Sequence, residues 1–114
     1  MTQKTPHKPV VVVVIPTYNE AGNVLPVTQA LGKVFKTLTD YQPFILFVDD
    51  QSPDGTGKLI HTLMQKYPYV KLLENKRKNG LGHAYKKGMI YALDRLNAEI
   101  LFEFDADLQH DPLS

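Results

Sequence analysis

The feature that most constrains the fold is an unbroken run of six β-branched residues at positions 10–15, which Pro16 follows directly. A run of this composition, apolar at every position, is typical of a strand buried on both faces of a sheet. We therefore expect residues 1–9, which are polar and contain two prolines, to be a flexible lead-in and the folded domain to begin at residue 10.

Short apolar runs then alternate with longer amphipathic stretches. Runs at 44–48, 70–73 and 100–104 predict three further strands. Apolar residues at helical spacing predict helices over 22–39, from Ser52-Pro53 to the residue before Pro68, and after a turn at Asn79-Gly80. Together these predict a βαβαβαβ chain, which favours an α/β fold whose parallel sheet is covered by helices on both faces.

The sequence also predicts the cap of the second helix and the buried side of the third. Ser52 is predicted to cap the second helix, with Pro53 at its first position. The apolar stripe of the third helix is predicted to consist of Tyr85, Met89, Ala92, Leu93 and Leu96.

Composition excludes several classes of protein. Thirteen basic and 12 acidic residues leave a formal net charge of +1, which argues against a nucleic-acid partner. The absence of cysteine excludes disulfides, thiolate metal sites and cysteine nucleophiles. No apolar run approaches the roughly 20 residues of a membrane-spanning helix. We expect a cytoplasmic domain, with peripheral contact at the cytoplasmic membrane face as the one membrane role left open.

The usual glycine-rich phosphate loops are missing. A dinucleotide-binding domain needs G-x-G-x-x-G after its first strand, but residues 16–22 read PTYNEAG. Gly80-Leu81-Gly82 follows the third strand instead, where a tight turn is the simpler interpretation. A nicotinamide-dependent reductase is therefore a remote alternative.

Acidic residues, and not glycines, follow the predicted strands. Ligands of parallel sheets bind beyond the carboxyl ends of the strands, where residues 16–20, 49–54 and 105–109 should emerge together. Asp105, Asp107 and Gln109 place oxygen ligands at alternate positions, and hard ions such as Mg²⁺ or Mn²⁺ prefer such ligands. A cation held there could bridge to a diphosphate. Taken singly, each acidic residue also has a purely structural interpretation, as a surface turn or a helix cap.

Four segments resemble glycosyltransferase family 2, most closely its dolichyl-phosphate mannosyltransferase (polyprenyl-phosphate sugar synthase) branch. They read VVIPTYNE at 13–20, VDDQSPDGT at 48–56, GLGHAY at 80–85 and DADLQH at 105–110. The resemblance implies a GT-A fold, whose N-terminal half is a Rossmann-like sheet, and a GDP- or UDP-hexose donor. Gln51 stands where the family usually has glycine. We expect this to alter the turn after the second strand, since glycine permits a positive φ and glutamine does not easily.

The resemblance also implies roles for individual residues. It assigns nucleotide-sugar binding to Pro16, Tyr18, Glu20, Val48, Asp50, Asp105 and Ala106. It assigns catalysis to Asp105 and Asp107, and coordination of Mg²⁺ or Mn²⁺ to Asp107 and Gln109. Asp49 would be a supporting ligand or a structural neighbour, and Lys86 and Lys87 are expected to be solvated.

The activity implied is inverting transfer of a hexose, mannose or glucose, to a polyprenyl phosphate. Family members continue into an acceptor-binding half, so the resemblance implies that residues 10–114 are a donor-binding part truncated before that half. We therefore expect the isolated chain to bind nucleotide sugar without transferring it, and to form homo-oligomers through an uncovered sheet.

Two alternatives stay open at this point. One is a fragment of a family 2 transferase whose acceptor is a carbohydrate hydroxyl. The other is a non-catalytic nucleotide-binding or interaction module whose acidic loops are structural.

Overall fold

Strands and helices alternate along the chain in the computed structural model, which describes residues 7–75 and 81–106. The elements are β1 (Val10–Thr17), α1 (Ala21–Phe35), β2 (Gln42–Asp49), α2 (Thr56–Lys66), β3 (Val70–Glu74), α3 (Leu81–Arg95) and β4 (Ile100–Glu103). The predicted βαβαβαβ order is thus confirmed, while the turn expected at Asn79-Gly80 lies outside the described residues. Within the described ranges, no helix is long and apolar enough to cross a membrane.

The four strands form one parallel sheet in the order β3-β2-β1-β4. The chain moves in one direction from β1 to β3 and then returns to the other side of β1. Since crossover connections between parallel strands are right-handed, this reversal places α1 and α2 on one face and α3 on the other. The carboxyl ends of β1 and β4 consequently flank the point at which strand order reverses, where ligands bind in such sheets.

Strand β1 is central and is buried on both faces, as its composition predicts. Val13 and Ile15 pack into a core with α1 and α2, whereas Val12 and Val14 pack into a second core beneath α3. All four side chains are at most 7% exposed. The continuous apolar run therefore contributes side chains to both cores.

Helix α3 packs closely against the sheet through a row of small residues. Ala84, Gly88 and Ala92 are buried at intervals of four along the helix. A Cβ atom on Gly88 would collide with Val14 and would lie 2.9 Å from Val48 Cγ2. The predicted stripe is wrong at Leu93, which is 52% exposed. The small residues lie directly on the strands, and Tyr85, Met89 and Leu96 pack beside them.

The predicted start of the second helix is also wrong. Helix α2 begins at Thr56, and Gly55 precedes it in the left-handed conformation with φ 85°. The Ser52 hydroxyl instead donates to the Asp49 carboxylate. The sequence pattern assigned the Ser52 hydroxyl to a helix cap, but the hydroxyl hydrogen-bonds to the buried Asp49 carboxylate instead.

Candidate functional site

A small cleft lies at the carboxyl edge of the sheet, where strand order reverses. Its volume is about 130 Å³, and its walls are Pro16, Thr17, Tyr18, Glu20, Asp50, Ala84 and Asp105. Five of these are predicted binding residues, and the other two, Thr17 and Ala84, belong to the segments at 13–20 and 80–85 that carry the family resemblance. The segments that follow β1, β2 and β4 therefore meet in one place, as the topology requires.

Two predicted residues of the described chain, Val48 and Ala106, are not on these walls. Val48 and Ala106 are fully buried in the two cores, so their side chains have a packing position and only their main-chain atoms remain candidates for ligand contact. Asp107 and Gln109 lie outside the described residues. Between 7 and 75 and between 81 and 106, no three His, Asp or Glu side chains are grouped closely enough to hold a metal ion.

Asp49 has a structural position at the end of β2. The residue is 3% exposed, and its Oδ1 accepts hydrogen bonds from Thr17 Oγ1 (2.8 Å) and Ser52 Oγ (2.6 Å). The Ser52 main-chain N–H donates to Oδ2 at 3.2 Å. Asp49 therefore joins the ends of β1 and β2, which confirms the structural-neighbour interpretation. It also closes the turn in which Gln51 adopts a φ of 53°, the conformation that glycine would take more readily.

The loop after β1 is fastened to the loop after β2. Three main-chain N–H groups of the first loop donate to three side-chain oxygens of the second: Asn19 to Ser52 Oγ (3.0 Å), Glu20 to Thr56 Oγ1 (3.2 Å) and Ala21 to Asp54 Oδ2 (3.1 Å). We call these three bonds the loop clamp. The clamp satisfies N–H groups at the start of α1 that have no partner within the helix, and it holds Tyr18 and Glu20 at the cleft.

The Asp54 carboxylate accepts hydrogen bonds at the starts of two helices. Besides Ala21 at the start of α1, its carboxylate accepts the Thr56 main-chain N–H at the start of α2 (3.0 Å) and the Thr56 hydroxyl. The hydrogen bond from the Thr56 side chain, together with those from the two main-chain groups, holds the pKa of Asp54 below its ordinary value of 3.8. The carboxylate is therefore charged near neutral pH, as suits a helix N-terminus.

Asp50 belongs to a chain of three polar side chains. It is 8% exposed and lines the cleft, and its Oδ1 accepts a hydrogen bond from Asn75 Nδ2 at 3.0 Å. Asn75 follows β3 and is completely buried, and its Oδ1 accepts from Lys87 Nζ, also at 3.0 Å. Lys87 is exposed, as expected, but its ammonium also makes a specific hydrogen bond that the sequence did not predict. Sequence reasoning missed Asn75 as well, although a polar residue directly after the third strand was a usable signal.

Tyr85 supports the strand that leads to Asp105. Its hydroxyl donates to the main-chain oxygen of Phe104 at 3.3 Å. Burial raises the pKa of Tyr85, and the nearby charges of Asp105 and Glu103 raise it further. The phenol therefore remains a neutral donor near neutral pH and helps to fix the end of β4.

Comparison with known proteins agrees with this geometry. The family model described as Glycosyl transferase family 2 matches residues 12–114. An undecaprenyl-phosphate mannosyltransferase from Micrococcus luteus is 41% identical over 102 residues, covering 90% of this chain and 40% of that protein. A polyprenol monophosphomannose synthase from Mycolicibacterium smegmatis is 44% identical over 101 residues, covering 88% of this chain and 36% of that protein.

A solved structure extends the comparison to the fold. A mannosyltransferase from Pyrobaculum calidifontis, in complex with GDP-Man and Mn²⁺, superposes with a TM-score of 0.69 at 26% sequence identity, over 89% of this chain and 28% of that one. The expected GT-A type of α/β fold is thereby confirmed. The chain spans well under half the length of these relatives. By its family model, its relatives and its fold, the chain belongs to glycosyltransferase family 2.

Proposed function

We propose that this chain is the donor-binding part of a polyprenyl-phosphate mannosyltransferase that takes GDP-mannose as its donor. The observation that carries the proposal is the cleft itself, whose walls come from the segments at 13–20, 48–56, 80–85 and 105–110. The printed names of the two bacterial relatives and the GDP-Man bound to the Pyrobaculum enzyme favour mannose over glucose and GDP over UDP.

The cleft has the size and polarity for one part of a nucleotide sugar. Its volume of about 130 Å³ is below the roughly 300–1,000 Å³ of complete small-molecule sites, so these walls hold the nucleoside end. Tyr18, 37% exposed, offers an aromatic surface at the mouth. Asp50 offers a carboxylate that accepts hydrogen bonds from N–H or O–H groups of the base or ribose.

The charge of the cleft calls for a cation. Glu20, Asp50 and Asp105 all line it, and three carboxylates repel a diphosphate unless a positive ion lies between them. A hard divalent ion prefers oxygen ligands, and in our proposal Asp107 and Gln109 hold Mn²⁺ or Mg²⁺ beside the cleft. When bound, the ion would neutralise the charge that develops on the departing diphosphate.

The transfer itself requires an acceptor and the rest of the enzyme. A phosphate oxygen of the polyprenyl phosphate would form a bond to the anomeric carbon as the bond to the GDP oxygen breaks, with inversion at that carbon. Because the acceptor phosphate is already anionic near neutral pH, a strong general base is less necessary than for a hydroxyl. A polyprenyl acceptor also places the reaction at a membrane surface.

Calorimetric titration of the 114-residue chain tests the proposal. We expect GDP-mannose to bind, more tightly with Mn²⁺ than without it, and UDP-glucose to bind more weakly. Mannose transfer to a polyprenyl phosphate by the isolated chain is not expected, because only one reactant can be positioned. Absent or metal-independent binding would contradict the proposal and would favour a non-catalytic module.

A further inference from the structure

Asp50, Asn75 and Lys87 form a hydrogen-bonded chain whose direction is fixed by chemistry. A lysine ammonium only donates hydrogen bonds, and an ionised carboxylate only accepts them. An asparagine amide does both, so between these two groups it can satisfy both neighbours in one orientation only. That orientation is the one observed, with Asn75 Oδ1 facing Lys87 Nζ and Asn75 Nδ2 facing Asp50 Oδ1, each at 3.0 Å.

This arrangement decides which oxygen of Asp50 is available to a ligand. Oδ1 is engaged by an amide that is itself completely buried. Within the described ranges no donor is recorded for Oδ2, and Asp50 lines the cleft. Oδ2 is therefore the acceptor left for a ligand.

We propose that Asn75 and Lys87 are positioning residues for nucleotide binding, which fix the Asp50 carboxylate so that Oδ2 accepts a hydrogen bond from the base or ribose. The inference rests on the proposed function. Lys87 acts through Asn75: without its ammonium the buried Asn75 oxygen loses its recorded partner, and the amide is held at one end only. The amide would then hold the Asp50 carboxylate less firmly in its binding orientation.

The test compares Lys87→Met with Lys86→Met as a matched control. Lys86 is the adjacent lysine of α3 and is exposed. We expect Lys87→Met to weaken GDP-mannose binding in the presence of Mn²⁺ by about tenfold, the loss typical of a hydrogen bond to a charged group. Lys86→Met should bind like the wild-type chain, and Lys87→Arg, which keeps a donor, should restore most of the affinity.

Further measurements separate positioning from a structural role. Positioning predicts that Lys87→Met and Lys86→Met have similar Tm values while their affinities differ. If Lys87→Met lowered Tm and left affinity unchanged, or if Lys87→Arg were as weak as Lys87→Met, the inference would be overturned. Asn75→Asp, which keeps an acceptor for Lys87 but sets a carboxylate against Asp50, should lose more affinity than Lys87→Met, and wild-type affinity in this variant would also overturn it.

If the wild-type chain binds no nucleotide, that result counts against the proposed function. The positioning of Asn75 by Lys87 can still be tested by a measurement that needs no ligand. The side-chain amide protons of Asn75 can be followed by NMR without any ligand. Slow solvent exchange in the wild-type chain and in Lys86→Met, but fast exchange in Lys87→Met, would support a fixed amide. Equal exchange in all three chains would overturn the positioning role.

Discussion

The carboxylate of Asp54 accepts the main-chain N–H of Ala21, a residue 33 positions earlier in the chain, at 3.1 Å. Through this bond the start of α1 depends on the loop that precedes α2. Removing the carboxylate should therefore loosen two helix starts and the cleft loop between them, and its protonation should have the same effect.

Asp54→Asn is expected to lower the free energy of unfolding at neutral pH by at most about 1 kcal/mol, since the group is exposed and partly screened. The pKa of Asp54 is depressed in the folded chain, so its contribution is complete above its ordinary value of 3.8 and is lost as the pH falls through the folded-state pKa. The Tm difference between the wild-type chain and the variant should be constant from neutral pH to about pH 5 and shrink in more acidic buffers. Asp94→Asn, at an exposed site on α3, provides the control, and a difference that grows with acidity would contradict the assignment.

Gly88→Ala tests the close packing of α3 on the sheet. The added methyl group would meet Val14 and Val48, and overpacking of this kind costs about 1–3 kcal/mol. Chemical denaturation should show this loss. The control is Gly22→Ala in α1, where a Cβ meets nothing within 4 Å, and where alanine should be neutral or stabilising by up to about 1 kcal/mol.

Val48→Ala removes one of the two groups that the new methyl group meets, so the combined variant should be more stable than the sum of the single effects predicts. If Gly88→Ala alone fails to fold, the combined variant should recover folded chain. Strict additivity would show that α3 does not rest on the sheet at Gly88.

Gln51→Gly should stabilise the chain, because a residue with a Cβ at a φ of 53° is strained. Relief of about 1–2 kcal/mol is offset by roughly 0.5–1 kcal/mol of extra backbone entropy in the unfolded chain, which leaves a net gain of about 0.5–1 kcal/mol. Gln51→Ala keeps the Cβ and removes the rest of the side chain, so it should match the wild-type chain in urea denaturation. A glycine variant less stable than the alanine variant would refute the strain argument.

Self-association is expected through the β4 side of the sheet. Among the described strands β4 pairs with β1 alone, and Phe102 on it is 57% exposed. Exposed strand edges with apolar side chains favour pairing between chains. Sedimentation velocity should show concentration-dependent association that Phe102→Glu reduces. Leu93→Glu, at a similarly exposed position on α3, should have little effect, and a wild-type chain that stays monomeric at high concentration would rule the prediction out.

The parts of the fold that follow from local pattern could be predicted. The apolar run at 10–15 identified the central strand because it is apolar on both faces, and the acidic and aromatic residues after the strands converge because parallel topology brings strand ends together. The third helix was predicted in the right place, but its buried side was predicted only in part, since helical periodicity favours large apolar residues such as Leu93 over the small ones that permit close approach.

The rest depended on contacts between residues distant in sequence. Ser52 matches a helix cap in isolation, and only the buried Asp49 carboxylate beside it shows where its hydroxyl goes. Lys87 matches a solvated helix lysine, and it reaches Asn75 because α3 packs so near the strand ends. Neither the Ser52–Asp49 bond nor the Lys87–Asn75 bond could be predicted from the sequence alone.

The loop clamp bears on how signature residues of this family should be interpreted in mutagenesis. Ser52, Asp54 and Thr56 are absent from the cleft walls, yet we expect replacement of any of them to loosen the loop that carries Tyr18 and Glu20 and, under the proposed function, to weaken donor binding. These three residues set the shape of the neighbouring loop without lining the cleft, so weaker binding in such a variant would not by itself show that the replaced side chain touches a ligand.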